Sequence, residues 1–312
     1  MSKDVFYKDL EPTWHNYCVN SEPKEIEKVI KEEFIVSGGK KIHLDIYGAN
    51  EKSQKTIMFI HGTAVYSRFY ADFLYGLYKK GFRIVAPDLP GHGLSSGRRG
   101  HFNMKELLNV LYDVCSYINE NFNGKIASMG SSLGGIITLY VVANDNRISA
   151  GVCHNTAILN EGAHKRIVKV KGFYKYLKPL VPILSKILPI FKLSVWIYLD
   201  PYKLIKNEEW YNKIQILLND KLVSDKYTLK SLATQMRAKL PKPVEEIDTP
   251  IMIIDGTDDV LFSTEYMKEI FDKLQNSKNK KLEIIENGSH LILHENRDEC
   301  IEKISEWLNS VL

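Results

Sequence analysis

Six short apolar runs, each closing on small or polar residues, constrain this chain more than anything else in it. Thr56–Ile60 ends in His-Gly, Phe82–Ala86 in Pro-Asp and Lys125–Met129 in Gly. Ile148–Cys153 ends in His-Asn, Pro250–Ile254 in Asp-Gly and Lys281–Ile285 in Glu-Asn-Gly. Runs this short and this apolar predict strands covered on both faces, as in a parallel sheet between layers of helices. Helical patterns fill the intervals at Phe69–Lys80, Asn103–Asn121, Leu133–Ala143, Ser263–Leu274 and Glu295–Val311. Strands alternating with helices imply right-handed crossovers and an α/β fold, a mostly parallel central sheet with helices on both faces. Functional residues are then expected at the carboxyl ends of the strands.

Two regions stand outside the alternation. Phe34–Val36 and Ile42–Tyr47 flank Ser37-Gly38-Gly39-Lys40 and read as a hairpin, preceded by a polar extension over 1–33 in which Lys24–Glu33 reads as a short helix. Between Asn155 and Pro250 more than ninety residues pass without a clear strand, too many for a connection. That predicts a helical cap, or lid, inserted at 160–245 into a single core made of 34–159 and 246–312. A chain of 312 residues buries such a core, and 44% hydrophobic with 26% charged residues excludes a disordered tail. The net charge of +4 is too weak and dispersed to indicate a nucleic-acid partner.

The first residues show no apolar core of a secretion signal, and Leu180–Leu199 is interrupted by Pro182, Lys186, Pro189 and Lys192, which argues against a membrane span. Cys18, Cys115, Cys153 and Cys300 lie far apart with no CxxC spacing. They read as reduced thiols in a cytoplasmic protein.

Gly130-Ser131-Ser132-Leu133-Gly134 follows a predicted strand and opens a predicted helix. A serine flanked two residues away by glycines at such a junction is a nucleophile elbow. The tight turn lifts the hydroxyl above the sheet, and the helix N-terminus beneath offers amides to an oxyanion. The glycine spacing selects Ser132 over Ser131. A serine nucleophile needs a base, and the base an orienting acid. The stretch Ile251–Asp259 supplies an acid after the next-to-last strand, and Asn287-Gly288-Ser289-His290 a histidine after the last.

From about Lys41 onward the chain resembles the monoacylglycerol lipase and lysophospholipase group of α/β-hydrolases. The matching residues are His61-Gly62, Asp88 to Gly93, Ser96 to His101, Gly130 to Gly135, Gly256 to Asp259 and Gly288 to His290. The resemblance covers the sheet well, the cap weakly and residues 1–33 hardly at all. It implies the α/β-hydrolase fold and a catalytic triad of Ser132, Asp259 and His290. The family's acid stands three residues after the glycine, which selects Asp259 over Asp258. It also implies an oxyanion hole from the backbone N–H groups of Thr63 and Leu133.

Other residues read as structural. His61 and His92 are expected to hydrogen-bond within loops of fixed shape. His290 and His294 are spaced for a metal only if both were helical, and no third ligand is spaced for one, so no metal site is expected. Asp258 is expected at the surface or behind the site. Asp88, Arg98 and Arg99 are expected near the active-site face, either as a buried ion-pair network or in contact with substrate. No GxGxxG or P-loop occurs, so no cofactor is implied.

The cap carries the information on substrate. Gly162–Leu199 holds eight basic residues (Lys165, Arg166, Lys169, Lys171, Lys175, Lys178, Lys186 and Lys192) and no acid, so the remainder of the molecule carries about −4. From Phe173 apolar residues recur at helical spacing. One expectation is an amphipathic cap that packs its apolar face on the body and leaves its lysines solvated; the other is a lid whose apolar face shelters an acyl chain and whose basic face meets a phosphate-bearing substrate or, peripherally, an anionic membrane. The expected activity is hydrolysis of a lipid-like carboxylic ester, of monoacylglycerol or lysophospholipid type. The alternatives are a carboxylesterase, thioesterase or peptidase acting on small soluble substrates, and a non-catalytic ligand-binding relative.

Overall fold

In a computed structural model, residues 4–167 and 178–312 are described. Strand β1 (Ile30–Ser37) turns at Gly38-Gly39 and pairs antiparallel with β2 (Lys40–Tyr47). Helix Pro23–Val29 precedes it, so the helical reading of Lys24–Glu33 holds only for its first half; Ile30 already belongs to the strand. The apolar runs form β3 (Lys55–Ile60), β4 (Arg83–Pro87), β5 (Lys125–Ser131) and β6 (Ile148–His154).

Two three-residue strands, β7 (Lys192–Ser194) and β8 (Lys226–Thr228), pair with each other inside the segment between β6 and β9 (Ile251–Gly256); β10 (Lys281–Ile285) follows. The expected cap is therefore not wholly helical. These strands are too short and too polar to carry a strand signature.

The eight-stranded sheet has the order β1-β2-β4-β3-β5-β6-β9-β10, parallel throughout except at β2. Its two faces bury separate cores, because side chains alternate along a strand. On β3, Met58 and Ile60 join the core under the helix Met104–Asn121. Ile57 and Phe59 join the opposite core with the helices Ala71–Lys79 and Arg297–Val311. That second core also takes Tyr7, Trp14, Tyr17 and Ile26 from the N-terminal segment. Among the described residues no helix is long and apolar enough to cross a membrane.

Candidate active site

Ser132 stands where β5 turns into the helix Leu133–Val142, at φ 56° and ψ −115°. This is an unfavourable backbone for a residue with a side chain, and the surrounding bonds must hold it. Its N–H donates to the His154 carbonyl at 2.8 Å, and its carbonyl accepts from Ile136 N–H at 3.0 Å. The flanking glycines are required by contact. A Cβ on Gly130 would stand 2.2 Å from the Gly134 carbonyl oxygen, and one on Gly134 would stand 2.0 Å from that of Ile60.

The loop after β10 brings His290 to the serine. Its Nε2 lies 3.1 Å from Ser132 Oγ and its Nδ1 2.6 Å from Asp259 Oδ2. Phe262 stacks on the imidazole with an interplanar angle of 4°. Asp259 Oδ1 accepts the amides of Leu261 and Phe262 at 2.7 and 3.0 Å, and Oδ2 accepts Asn155 Nδ2 at 3.1 Å. Burial alone raises a carboxyl, but His290 and these amides outweigh it and hold Asp259 down at about 2. An ionised Asp259 accepts the hydrogen bond from His290 Nδ1–H, which leaves the Nε2 lone pair facing the Ser132 hydroxyl.

The neighbours of these residues point elsewhere. Ser131 Oγ lies 2.8 Å from Nδ1 of His154, a ring whose burial pushes it down to about 3 and keeps it neutral. Asp258 faces solvent in an ion pair with Lys206. His294 is buried against Phe69, Tyr70 and Trp210, so its ring does not converge with that of His290 on a metal.

Leu133 supplies the first amide of the helix, where no intrahelical acceptor exists. Gly62 lies against the elbow, its Cβ position 3.6 Å from Ser132 Cβ, and Thr63 is the next residue along. The loop behind Thr63 is tied to the segment between β6 and β9, and Tyr227 is one of the ties. Tyr227 Oη accepts the Ala64 N–H at 2.9 Å and donates to His92 Nε2 at 2.8 Å, whose Nδ1–H donates to the Pro90 carbonyl at 3.1 Å. His61 accepts the Leu89 N–H at Nε2, 3.0 Å away.

The expected Asp88, Arg98 and Arg99 network does not form. Asp88 turns inward, accepting from Tyr7 Oη, Ser67 N–H and Leu94 N–H at 2.8 to 2.9 Å, with His43 Nδ1 at 3.3 Å. Three fixed donors and one ring satisfy it there, while Arg99 reaches outward to the Leu222 carbonyl at 3.2 Å.

Asn155, Phe262 and Tyr227 escaped the sequence reading. Asn155 carried a signal, since it ends an apolar run in the manner expected of functional residues. Tyr227 carried none, because its partners Ala64 and His92 lie more than 130 residues away.

Comparison with known proteins bears on the family and the fold. The family described as serine aminopeptidase, S33, matches residues 51–297. An uncharacterised abhydrolase domain-containing protein of Dictyostelium discoideum is 26% identical over 259 residues, covering 81% of this chain; the chain spans only 26% of that relative. Paleococcus ferrophilus monoacylglycerol lipase has a similar structure, with a TM-score of 0.73 at 24% identity over 87% of this chain and 99% of that one. A soluble variant of Saccharomyces cerevisiae monoglyceride lipase, solved with a substrate analogue, gives a TM-score of 0.74 at 18% identity over 90% and 95%. At these identities the two structures establish the fold, a mostly parallel sheet of the α/β-hydrolase kind.

Proposed function

The chain belongs to the serine aminopeptidase S33 family of α/β-hydrolases, and from that premise we propose that it cleaves a lipid-like carboxylic ester through an acyl-enzyme on Ser132. The observation that carries this reading is the unbroken series Asp259 Oδ2, His290, Ser132 Oγ at 2.6 and 3.1 Å, with Ser131 diverted to His154. His290 Nε2 takes the hydroxyl proton as Ser132 Oγ attacks the ester carbonyl. The amides of Thr63 and Leu133 receive the oxyanion. The intermediate collapses, the C–O bond to the alcohol breaks, and His290 hands its proton to the leaving oxygen. Water then repeats the sequence on the acyl-serine and releases the acid. Asp259 holds the tautomer and offsets the imidazolium.

A lipid-like acyl group is supported by the apolar core, which runs without a break from Leu133 and Ile136 at the elbow to Ile158, Ala163, Val195 and Leu199. The monoacylglycerol lipases of the same fold point the same way. Peripheral contact with an anionic membrane is supported by an exposed apolar ridge at Ile183, Ile187, Leu188, Ile190 and Phe191 beside Lys186 and Lys192.

Fluorophosphonate labelling with peptide mapping tests the nucleophile. The label should fall on Ser132, and Ser132→Ala should lose at least ~10³ in turnover. Label on Ser131, or on no serine, overturns the reading. Nitrophenyl esters of graded length, monoacylglycerols, lysophospholipids and an aminoacyl nitroanilide then separate the classes. Preference for medium or long esters fits the proposal. Preference for acetate or for the nitroanilide replaces it with a small-ester esterase or a peptidase.

A further inference from the structure

Behind the triad acid lies a second carboxylate that the reaction above does not use. Asp255 ends β9 and is 0% exposed. Its Oδ1 accepts the Gly256 N–H at 2.8 Å and the Nδ2 of Asn155. Its Oδ2 is buried and receives no donor. The same Asn155 amide also reaches Asp259 Oδ2 at 3.1 Å, so one side chain spans both acids. One oxygen of each carboxylate and a ring nitrogen of His154 lie within 4.8 Å of one another.

Two carboxylates this close, both shut away from water, do not both ionise; one keeps a proton. The donors decide which. Asp259 receives the amides of Leu261 and Phe262, the amide of Asn155 and the Nδ1–H of His290, a set that suits an anion. Asp255 has donors on one oxygen only, which suits a carboxylic acid whose other oxygen bears the hydrogen. The titratable groups around it are Asp259 from its own loop, His154 from the end of β6 and His290 from the loop after β10. His154 is neutral through burial and brings no compensating charge.

We propose that Asp255 is a neutral carboxylic acid whose Oδ2–H donates to Asp259, making it a positioning residue that holds the triad acid in the orientation His290 needs. The inference rests on the proposed triad. Burial, with the Asp259 charge adding to it, pushes the Asp255 carboxyl well above the usual carboxylate range. The donated bond closes Asp259 in from every side except the one that faces the imidazole. It also keeps the pair at a single negative charge, the one an imidazolium must meet.

The test is infrared difference spectroscopy at neutral pH on the full chain. Wild type should show the C=O band of a protonated carboxyl that Asp255→Asn lacks and Asp258→Asn retains. Absence of that band from the wild-type minus Asp255→Asn spectrum overturns the proposal, whatever the kinetics. Kinetics supply the functional half. Asp255→Leu, which donates nothing, should lower kcat about tenfold or more with little change in KM, as for loss of a hydrogen bond to a charged group. Asp255→Asn, whose amide still donates, should recover most of that loss. Equal kcat for the Leu and Asn variants also overturns it. Fluorophosphonate labelling of Ser132 in the same samples keeps the two readings apart. A labelled Ser132 with no carboxyl band sinks the Asp255 assignment alone, whereas an unlabelled Ser132 sinks the triad beneath it.

Discussion

Ser131 and Ser132 are adjacent, as are Asp258 and Asp259, yet in each pair one side chain meets His290 and the other is bound elsewhere. Under the proposed mechanism this division predicts unequal mutants. Asp259→Asn leaves His290 without an anionic acceptor and should cost about 10³ or more in kcat. Asp258→Asn loses only a solvent-exposed pairing with Lys206 and should stay within about threefold of wild type, as exposed ion pairs contribute little. Steady-state rates on one soluble ester decide it, and equal losses would mean that the acid is misassigned. Much of this was legible in the sequence. Glycines two residues either side single out Ser132, because the turn leaves no room for a Cβ at Gly130 or Gly134. Spacing alone left the acid open within Ile251–Asp259, and it was the family resemblance that singled out Asp259. Asn155 and Asp255 went unread because their roles come from strand register. The pairing of His154 with Ile254 carries Asn155 to the side of Asp255, and no local pattern encodes a pairing across a hundred residues.

At the level of elements, the core strands were legible because each of the six contains a short, mainly apolar run, whereas β7 and β8 are short polar pieces defined by tertiary contacts. β8 matters out of proportion to its length. It presents Tyr227 to Ala64 and His92, while Ser224 donates its N–H to the Ala64 carbonyl at 2.8 Å just before it. Ala64 itself sits at φ 70°, a conformation that needs such support. Removing the hydroxyl in Tyr227→Phe leaves a buried N–H and a buried ring nitrogen unpaired, at a cost of about 1–3 kcal/mol. The loop carrying Thr63 would then lose one of its anchors, so kcat on a soluble ester should fall about tenfold, with a smaller change in KM. Kinetics and the thermal midpoint check this together. A lowered midpoint with unchanged kcat would make Tyr227 a purely structural bolt and would weaken the oxyanion role given to Thr63.

The whole molecule shows two features that no single element contains. The N-terminal segment read as a polar extension, because its aromatic residues have no periodicity; folded, it buries Tyr7 and Tyr17, which donate to Asp88 and to Asp220. Beneath it lies His43. Burial would lower its pKa, but Asp88, Glu32 and Asp45 outweigh that and raise it to about 9. A group raised in the folded state stabilises fully below its unfolded value of about 6.5 and stops doing so as pH rises through the folded one. The thermal midpoint should therefore fall between pH 7 and about 9.5, by up to about 3 kcal/mol of stability, and His43→Gln should flatten that slope; parallel curves would show that other groups set it. The second feature is the asymmetry of charge and apolar surface. Three of the eight basic residues, Lys169, Lys171 and Lys175, lie outside the described residues, and among the described ones Arg166 is paired with Glu269. The apolar ridge is the stronger part of the membrane proposal: Ile187 is 71% exposed and Phe191 54%. Burying such side chains in lipid contributes about 1–2 kcal/mol each, against about 1 kcal/mol for each lysine near an anionic surface. Co-sedimentation with phosphatidylglycerol-containing vesicles should thus fall at least tenfold in Ile187→Ser/Phe191→Ser. Lys186→Gln should reduce it less, and mainly at low salt, since the surface potential decays within about 10 Å at 0.1 M. Turnover of a small soluble ester should be spared in all of these variants, because the proposed triad sits at the strand ends and not on the ridge. Wild type that binds neutral and anionic vesicles equally would leave the apolar ridge as the sole membrane contact, and wild type that binds neither would make the ridge a solvent-facing surface with no membrane role.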